Sequence, residues 1–346
     1  MTEGSGEPQG GAPVNQAVAL RVQRATLPSR IGLGVGLAAV VVLALGPLWA
    51  LDSVLRTLIS VFTLLALAQM WNLLAGYAGL VSIGQQAYVG LGAYGLLLFA
   101  DTVGLPLLAS VLAAAVVGTL VAVPTALLAF RLRGGYFAIG TWVIAEVYRL
   151  VVTNVSQLGG GSGLTLRAAS TVNRTTRLYL TYELALVVGV GAVVVTYLLL
   201  RRRLGLALTA IRDSEQSAQS LGVPVFRTKF AVYLVAAFGC SLAGAVIYLN
   251  LLRVQPEAAF SVNWTAFMIF IVVIGGVGTI EGPIIGTIVF FALQETLSGY
   301  GAWYLVLLGA VAVLVTVVAR RGLWGLAADR TGWSLFPVQR RLEERW

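Results

Sequence analysis

The sequence predicts an all-α integral membrane protein with about ten transmembrane helices and both termini in the cytoplasm. Hydrophobic residues make up 58% of the 346-residue chain and charged residues only 11%, far below the roughly 25% charged that is typical of soluble domains. A soluble protein could not bury so much apolar surface, whereas membrane helices expose it to lipid. The one cysteine, Cys240, lies in an apolar run, so no intrachain disulfide is expected.

The predicted spans are long apolar runs, most of them within the 17–25 residues that a crossing helix needs. They cover residues 31–51, 54–74, 80–100, 105–130, 136–157, 180–200, 229–251, 264–280, 283–299 and 302–319. The last three are short, so we expect them to be tilted, broken at Gly275-Gly276 or partly re-entrant.

Arginine placement predicts the orientation and the domain organisation, because basic residues concentrate on the cytoplasmic side of membrane proteins. We predict a mobile cytoplasmic tail at 1–30, rich in Gly, Pro, Gln and Ala, and a transmembrane domain at 31–319. That domain contains a cytoplasmic segment at 201–228 and an outer loop at 158–179. A second cytoplasmic tail covers 320–346. No signal peptide is expected, because no short apolar stretch with a cleavage site precedes the first span.

The composition argues against an enzyme. The chain has no histidine and a single lysine, Lys229. A nucleotide-binding P-loop places its lysine after a glycine, but Lys229 lies between Thr228 and Phe230. If the chain pumps a solute, the energy must therefore come from another subunit or from an ion gradient. The net charge of +9 belongs to the predicted cytoplasmic segments and comes with no nucleic-acid-binding motif, so no nucleic-acid partner is expected.

A polar strip interrupts the glycine-rich third span. Its members are Ser82, Gln85, Gln86, Tyr88 and Tyr94. Amide side chains are costly in hydrocarbon and should face protein or water. The strip therefore predicts either part of a permeation path or hydrogen bonds that hold helices together, and we favour the path.

The fifth predicted span carries two charges. Glu146 and Arg149 are three residues apart and lie on one helical face, with Trp142 one turn before Glu146. An ionisable pair near the bilayer centre predicts either a contact with a zwitterionic substrate or a self-neutralising structural pair. We include Trp142 and Glu146 among the candidate path residues.

Glycines mark two further segments, one in each half of the chain. Gly76 and Gly79 belong to the first, and Gly275, Gly276 and Gly278 belong to the second. This pattern favours two pseudo-repeated halves that meet at the path. It is equally typical of glycines that only let helices approach closely.

The predicted cytoplasmic segment contains a polar helix over residues 205–223. Gly222 suits the end of this helix, and Pro224 prevents its continuation. A short helix outside the bilayer can fit a cleft in a partner, although an ordinary solvated loop is the alternative. The residues that we expect to couple motion to a partner are Arg212, Asp213, Glu215, Gln219 and Gly222.

Four stretches in this order resemble the permeases of branched-chain amino acid ABC importers, specifically the M-type member of the permease pair. They are Gly76-Tyr77-Ala78-Gly79 with the polar strip after it, then 131–139, 159–165 and 273–283. The likeness covers roughly residues 72–321. Gln85 stands where a histidine is common in that family.

The resemblance implies a permease subunit that forms half of a path for branched-chain amino acids in the bacterial cytoplasmic (inner) membrane, in contact with membrane lipid. It implies a second permease subunit, two ABC ATPase subunits and an extracytoplasmic solute-binding protein. No cofactor is expected in this chain, because ATP and Mg would bind to the ATPase subunits. The alternatives are an ABC permease for urea, short amides or another small polar solute, and a stand-alone secondary transporter.

Overall fold

The computed structural model describes residues 21–23, 27–297, 299, 303–319, 321–331, 335–336 and 341–343, and within these ranges the chain is mostly helical. The α-helices are α1 Leu27–Ala44, α2 Gly46–Trp49, α3 Asp52–Asn72, α4 Gln86–Leu97, α5 Leu107–Ala129, α6 Gly135–Asn154, α7 Arg174–Arg201, α8 Arg203–Asp213, α9 Glu215–Ser220, α10 Val225–Leu251, α11 Pro256–Ala259, α12 Val262–Gly275, α13 Glu281–Leu297, α14 Trp303–Val318 and α15 Gly322–Thr331. The π-helical segments Leu73–Tyr77 and Leu98–Thr102 continue α3 and α4.

Short antiparallel strand pairs join distant parts of the described chain. The strands are β1 Arg21–Gln23, β2 Leu164–Thr165, β3 Arg253–Val254 and β4 Arg341–Glu343. Strand β1 pairs with β4, and β2 pairs with β3. The second pair attaches the loop before α7 to the end of α10.

In the part of the chain that the structure describes, seven helical segments are long and apolar enough to cross a membrane. They are Asp52–Tyr77, Leu107–Ala129, Gly135–Asn154, Arg174–Arg201, Val225–Leu251, Pro256–Gly275 and Val306–Arg330. Each overlaps a predicted span, which supports the all-α multi-pass class. The predicted count of ten is not confirmed.

The other three predicted spans fall on shorter helices. In the run 31–51, α1 ends at Ala44 and the chain restarts as α2, which has a proline in its first turn. In the run 80–100, residues 80–85 are not helical and α4 begins only at Gln86. The run 283–299 corresponds to α13, which has 17 residues. Continuous hydropathy does not reveal such interruptions, because a non-helical turn made of apolar residues scores like a helix.

The centre of the bundle is α10, which packs against α3, α4, α5 and α7. Small residues let α4 and α10 cross closely. A Cβ added at Gly92 would overlap the carbonyl oxygen of Ser241, and one added at Gly244 would overlap that of Val89. Close backbone approach of this kind stabilises helix pairs in lipid, where apolar burial alone supplies little driving force.

The predicted outer loop 158–179 is shorter than expected, because α7 begins at Arg174. The sequence gives a local reason for this start. The Asn173 side chain caps the helix by accepting a hydrogen bond from the Thr175 backbone nitrogen at 3.1 Å. The two arginines and two threonines of the first turn carry no apolar signal, so hydropathy alone placed the helix start too late.

The cytoplasmic segment predicted at 201–228 contains two helices instead of one. Helix α8 ends at Asp213, and Ser214 begins α9 by accepting a hydrogen bond from the Ser217 backbone nitrogen at 3.2 Å. Gly222 follows α9 with a φ of +82°, a conformation that glycine adopts readily after a helix.

Parts of the two predicted tails lie outside the described residues, namely 1–20 and 24–26 in the first, and 320, 332–334, 337–340 and 344–346 in the second. In the described part, α1 already begins at Leu27 and α15 ends at Thr331. Strands β1 and β4 pair with each other across the two predicted tails.

Glu281, the first residue of α13, is buried. Its carboxylate accepts hydrogen bonds from the backbone nitrogens of Leu335 at 3.1 Å and Phe336 at 2.9 Å. These two bonds hold the chain after α15 against the start of α13.

Candidate functional site

Two breaks in the membrane helices meet at one point of the bundle. One is the π-helical turn Leu73–Tyr77 with the non-helical residues after it, and the other is the turn 276–280 between α12 and α13. A Cβ added at Gly76 would lie only 2.6 Å from the backbone nitrogen of Gly278. The two glycine-dense segments of the sequence are therefore in direct contact, although the structure does not show that the two halves are repeats.

Two amide side chains of α3 hold this contact together. Asn72 accepts a hydrogen bond from the Gly278 backbone nitrogen at 2.9 Å and donates one to the Thr279 carbonyl oxygen at 2.7 Å. Gln69 donates to the Ile280 carbonyl oxygen at 3.1 Å. Both side chains are fully buried. The sequence analysis missed them, although two amides three residues apart in an apolar span signal a polar contact.

The turn between α12 and α13 depends on glycine. Gly276 has a φ of +136°, and a Cβ added at Gly275 would overlap the carbonyl oxygen of Gly282. Thr279 fixes the turn, because its hydroxyl donates to the Gly276 carbonyl oxygen at 2.9 Å and accepts from the Gly282 nitrogen at 3.0 Å. The predicted glycines of this segment thus lie where the backbone reverses direction.

Arg212, at the end of α8, reaches the same point. Its Nη1 donates a hydrogen bond to the Gly76 carbonyl oxygen at 2.9 Å. A Cβ added at Gly79, whose φ is +68°, would lie 3.5 Å from the Arg212 Cα, and one at Gly278 would lie 3.3 Å from Arg212 Nη1. One side chain from outside the spans therefore contacts both helix breaks.

The other predicted coupling residues lie on the exposed side of α8 and α9. Asp213, Glu215, Gln219 and Gly222 are exposed. Glu215 forms an ion pair with Lys229 at 2.6 Å, which ties α9 to the first turn of α10. The only lysine of the chain thus forms an ion pair that connects α9 and α10.

The predicted polar strip forms a buried cluster. Ser82, Gln85 and Gln86 are almost completely inaccessible. Gln85 donates to the Ser82 hydroxyl at 3.3 Å and accepts from the Cys240 thiol at 3.5 Å. The side-chain oxygen of Gln86 accepts a hydrogen bond from the Thr265 hydroxyl. The cluster joins the start of α4 to α10 and α12.

The two tyrosines of the strip lie deeper along α4. The hydroxyl of Tyr88 donates to that of Tyr233 at 2.9 Å. Tyr94 stacks on Phe260 with ring centroids 6.1 Å apart, and its buried hydroxyl has no hydrogen-bond partner among the described residues. Both rings are buried within the bundle of this chain.

The charged pair lies apart from this cluster, on the outward side of α6. Trp142 is 48% exposed, and the Glu146 side chain is 45% exposed. Arg149 Nε donates to both carboxylate oxygens of Glu146, at 2.9 and 3.0 Å. The inner side of α6 reaches the polar strip, because the Ile83 nitrogen donates to the Thr141 hydroxyl at 3.2 Å. The predicted path residues therefore form two groups. Trp142 and Glu146 lie on the exposed side of α6, and the buried polar strip lies on its inner side.

Metal-binding side chains are not grouped anywhere in the part of the chain that the structure describes. No set of three or more His, Cys, Asp or Glu residues there could hold a metal ion. The contacts that the structure shows at the site are hydrogen bonds, close backbone approaches at glycine, and the ion pairs of Arg149 with Glu146, Lys229 with Glu215 and Arg212 with Asp213.

The helices define an all-α multi-pass membrane protein with paired helix breaks that contact a segment outside the spans. A family model described as "Branched-chain amino acid transport system / permease component" matches residues 53–316. The chain belongs to this family. The resemblance seen in the motif order of the sequence is thereby confirmed.

Three relatives illustrate the similarity. The high-affinity branched-chain amino acid transport system permease protein LivM of Salmonella typhimurium LT2 is 28% identical over 284 residues, which cover 73% of this chain and 65% of the relative. LivM of Escherichia coli K12 is 28% identical over 300 residues, 78% of this chain and 69% of the relative. The fructose import permease protein FruG of Bifidobacterium longum is 29% identical over 161 residues, 44% of this chain and 46% of the relative.

The chain thus spans about two thirds of the length of the two LivM proteins, with 65% and 69% of them matched. No solved structure matches the chain.

Proposed function

We propose that this chain is a permease subunit of an ABC importer and forms half of a translocation path for branched-chain amino acids, driven by separate ATPase subunits. The observation that carries the proposal is the hydrogen bond from Arg212 to the Gly76 carbonyl oxygen. It links a segment outside the spans to the place where two membrane helices are interrupted. Interrupted helices line binding sites in many transporters, so a displacement of α8 would act where the path can change.

The exposed side of α8 and α9 supports docking of an ATPase subunit. Leu206 is 75% exposed and Leu221 is 81% exposed, on helices whose other exposed residues are mostly polar. An apolar cleft in a partner would remove both leucines from water. The ion pair between Glu215 and Lys229 fixes this surface to α10, so motion of the docked helices would be passed to the central helix of the bundle.

The outward side of α6 supports a path between this chain and a second permease. Charged side chains within a span face protein or water, and in this chain the Glu146 side chain is still 45% exposed and that of Arg149 23% exposed. A second permease opposite α6 would bring the pair and Trp142 to a shared interface. A zwitterionic amino acid carries both charges that the pair presents. Under this proposal the buried cluster of Ser82, Gln85 and Gln86 supports α6 from behind.

The relatives favour amino acids over sugars as the substrate. Three relatives named for branched-chain amino acid transport match 73%, 78% and 57% of this chain, whereas three named for fructose or ribose import match 44%, 36% and 40%. Urea, short amides and sugars are the substrates to test beside leucine, isoleucine and valine.

The same proposal assigns the partners and the location. We place the chain in the bacterial cytoplasmic membrane with a second permease, two ATPase subunits that hold ATP and Mg, and an extracytoplasmic binding protein. The part of the loop 158–179 that precedes α7, tied down by the pairing of β2 with β3, is the surface that we assign to the binding protein. Both termini and the segment 201–228 are assigned to the cytoplasm.

Reconstitution tests the proposal. The chain is co-expressed with candidate ATPase, permease and binding-protein subunits from the same genome, purified through a tag on this chain and placed in liposomes. We expect the ATPase subunits to co-purify and labelled leucine to accumulate only with ATP. Accumulation by this chain alone would contradict the proposal and favour a secondary transporter, and ATP-driven uptake of fructose or urea instead of leucine would replace the substrate.

A pair of variants tests the coupling contact. Arg212→Ala removes the bond to Gly76, so we expect uptake to fall at least about tenfold, as for the loss of a charge-assisted hydrogen bond, while the ATPase subunits still co-purify and hydrolyse ATP. Arg203→Ala is the control, because Arg203 is exposed on the same helix and donates no side-chain hydrogen bond within the described chain. Equal uptake by both variants would contradict the coupling role of Arg212.

A further inference from the structure

A cavity of about 400 Å³ opens where the ends of three membrane helices meet. The first turns of α3 and α7 and the last turn of α10 surround it. Its lining residues are Arg56, Arg174, Arg177, Leu178, Thr181, Leu249, Asn250 and Leu252. The coupling segment and the helix breaks contribute nothing to it, so it is separate from the site described above.

The cavity is strongly basic. Within the described residues, none of its three arginines forms an ion pair with a carboxylate. Arg177 donates one hydrogen bond to the Ala169 carbonyl oxygen, which leaves most of its donors available. The Asn250 side chain forms no hydrogen bond within the described chain and adds an amide donor. Three guanidinium groups around one cavity repel each other unless an anion neutralises them.

The level of the cavity is that of a membrane surface, because three spans end there. Trp49 precedes α3 on the same side and is 57% exposed. Tryptophan is enriched where hydrocarbon meets headgroups. The short helix α2 that carries Trp49 packs on α7, since Gly46 touches the Tyr182 ring. At this level of a membrane protein, arginines are expected beside lipid headgroups.

We propose that the cavity binds the phosphate group of an anionic glycerophospholipid. Guanidinium groups match phosphate oxygens with paired hydrogen bonds, and Asn250 can donate one more. Leu252, which follows α10 and is half-buried, adds apolar surface beside the arginines for the glycerol and the first acyl carbons.

The proposal also explains an anomaly in the charge distribution. In the predicted orientation these arginines lie on the outer side, against the general preference for basic residues inside. A bound anionic headgroup would neutralise them and hold α3, α7 and α10 together at that surface. The lipid would thus act as a clamp on the outer end of the central helix.

Lipid titration tests the proposal with the full chain purified in a neutral detergent. Phosphatidylglycerol, phosphatidylcholine with the same acyl chains, and inorganic phosphate are titrated separately, and binding is followed by native mass spectrometry and by thermal melting. We expect phosphatidylglycerol to bind at least about tenfold more tightly than phosphatidylcholine. Equal binding of the two lipids, or binding of inorganic phosphate as tight as that of phosphatidylglycerol, would overturn the assignment to a lipid.

Arginine variants locate the site. We expect Arg174→Gln to weaken phosphatidylglycerol binding about fivefold, and the triple change at Arg56, Arg174 and Arg177 to weaken it about a hundredfold. The control replaces 201–203 by glutamine, because this run of three arginines lies at the other end of α7. An equal loss in the control would show that only total charge matters and would contradict the proposal.

The single change Arg174→Gln keeps the test meaningful if the triple variant does not fold, because Arg174 is exposed. A binding assay with the solute-binding protein completes the design. If that protein binds the Arg174→Gln variant more weakly while phosphatidylglycerol binding is unchanged, the cavity is a protein-docking surface and the lipid proposal is wrong.

Discussion

Helices α3 and α6 both contain polar residues within candidate membrane spans, but they differ in how much of their surface is buried within the chain. For the segment Asp52–Tyr77, which contains α3, 78% of the most apolar stretch is buried within this chain, against 22% for Gly135–Asn154, which is α6. The polar groups of α3 bond to backbone atoms of the turn between α12 and α13. The charges of α6 bond only to each other. The contacts of a polar group thus show its role. Polar groups that stabilise the fold bond to other helices and turns, whereas those on the outer surface bond only to each other.

The largest expected effect is a loss of stability when a buried polar side chain of α3 is replaced. Asn72→Leu leaves the Gly278 nitrogen and the Thr279 carbonyl oxygen buried without their partner. We expect a loss of about 2–4 kcal/mol in stability, measured as a lower melting temperature in detergent. Asn154→Leu is the control, because the Asn154 amide bonds only to the exposed last turn of its own helix. Similar losses for both variants would contradict the role of Asn72 as the tie between the breaks.

A somewhat smaller effect is expected at the contact between the breaks. Gly76→Ala pushes a methyl group against Gly278 and Asn72, so we expect a loss of about 1–3 kcal/mol from overpacking. Gly191→Ala in α7 is the matched control, because nothing lies within 4 Å of the added Cβ, and it should be neutral or slightly stabilising. A Gly76→Ala protein as stable as the control would mean that the breaks separate freely.

Variants of the charged pair Glu146 and Arg149 test whether the exposed side of α6 contributes to uptake. Glu146→Gln should change the stability of the isolated chain by less than about 1 kcal/mol, because the pair is partly exposed, yet lower leucine uptake by the assembled transporter several-fold. The charge exchange Glu146→Arg with Arg149→Glu retains a pair of reversed polarity. We expect the exchange to preserve co-purification of the second permease without restoring uptake. Full uptake by the exchanged variant would identify the pair as purely structural.

The smallest effect on stability is expected for the buried amide behind α6. Gln85→Leu loses two long hydrogen bonds, to Ser82 and Cys240, so stability should change by less than about 1 kcal/mol. We nevertheless expect lower uptake with normal assembly, measured in liposomes. Cys240→Ala is the control, since it removes the thiol but leaves the amide. Unchanged uptake by Gln85→Leu would assign this glutamine to helix packing alone.

The sequence was sufficient to predict the class of fold, and it singled out several residues of the candidate site. Hydropathy located the segments that are long and apolar enough to cross a membrane, and residue types that are costly in lipid singled out Gln85 and Glu146. Glycine density singled out Gly76 and Gly278, which turn out to touch. These features are local, because each depends on a residue and its immediate neighbours.

What could not be predicted depends on contacts between distant segments. The bonds from Asn72 to Gly278 and Thr279 join residues more than 200 positions apart, and a single sequence contains no signal for such a pairing. The same holds for Arg212, whose partner is a backbone atom of Gly76 and leaves no trace in residue type. The predicted count of ten spans is not confirmed, because apolar residues also occupy the non-helical turn before α4.

The bonds of Glu281 bear on how the protein should be handled at the bench. A truncation before Leu335 would remove both backbone donors of the buried Glu281 carboxylate. Glu281 directly follows the turn 276–280, which Arg212 contacts. An affinity tag that displaces the residues after α15 would break the same two hydrogen bonds. Full-length material with a spacer before the tag is therefore the safer choice for transport assays.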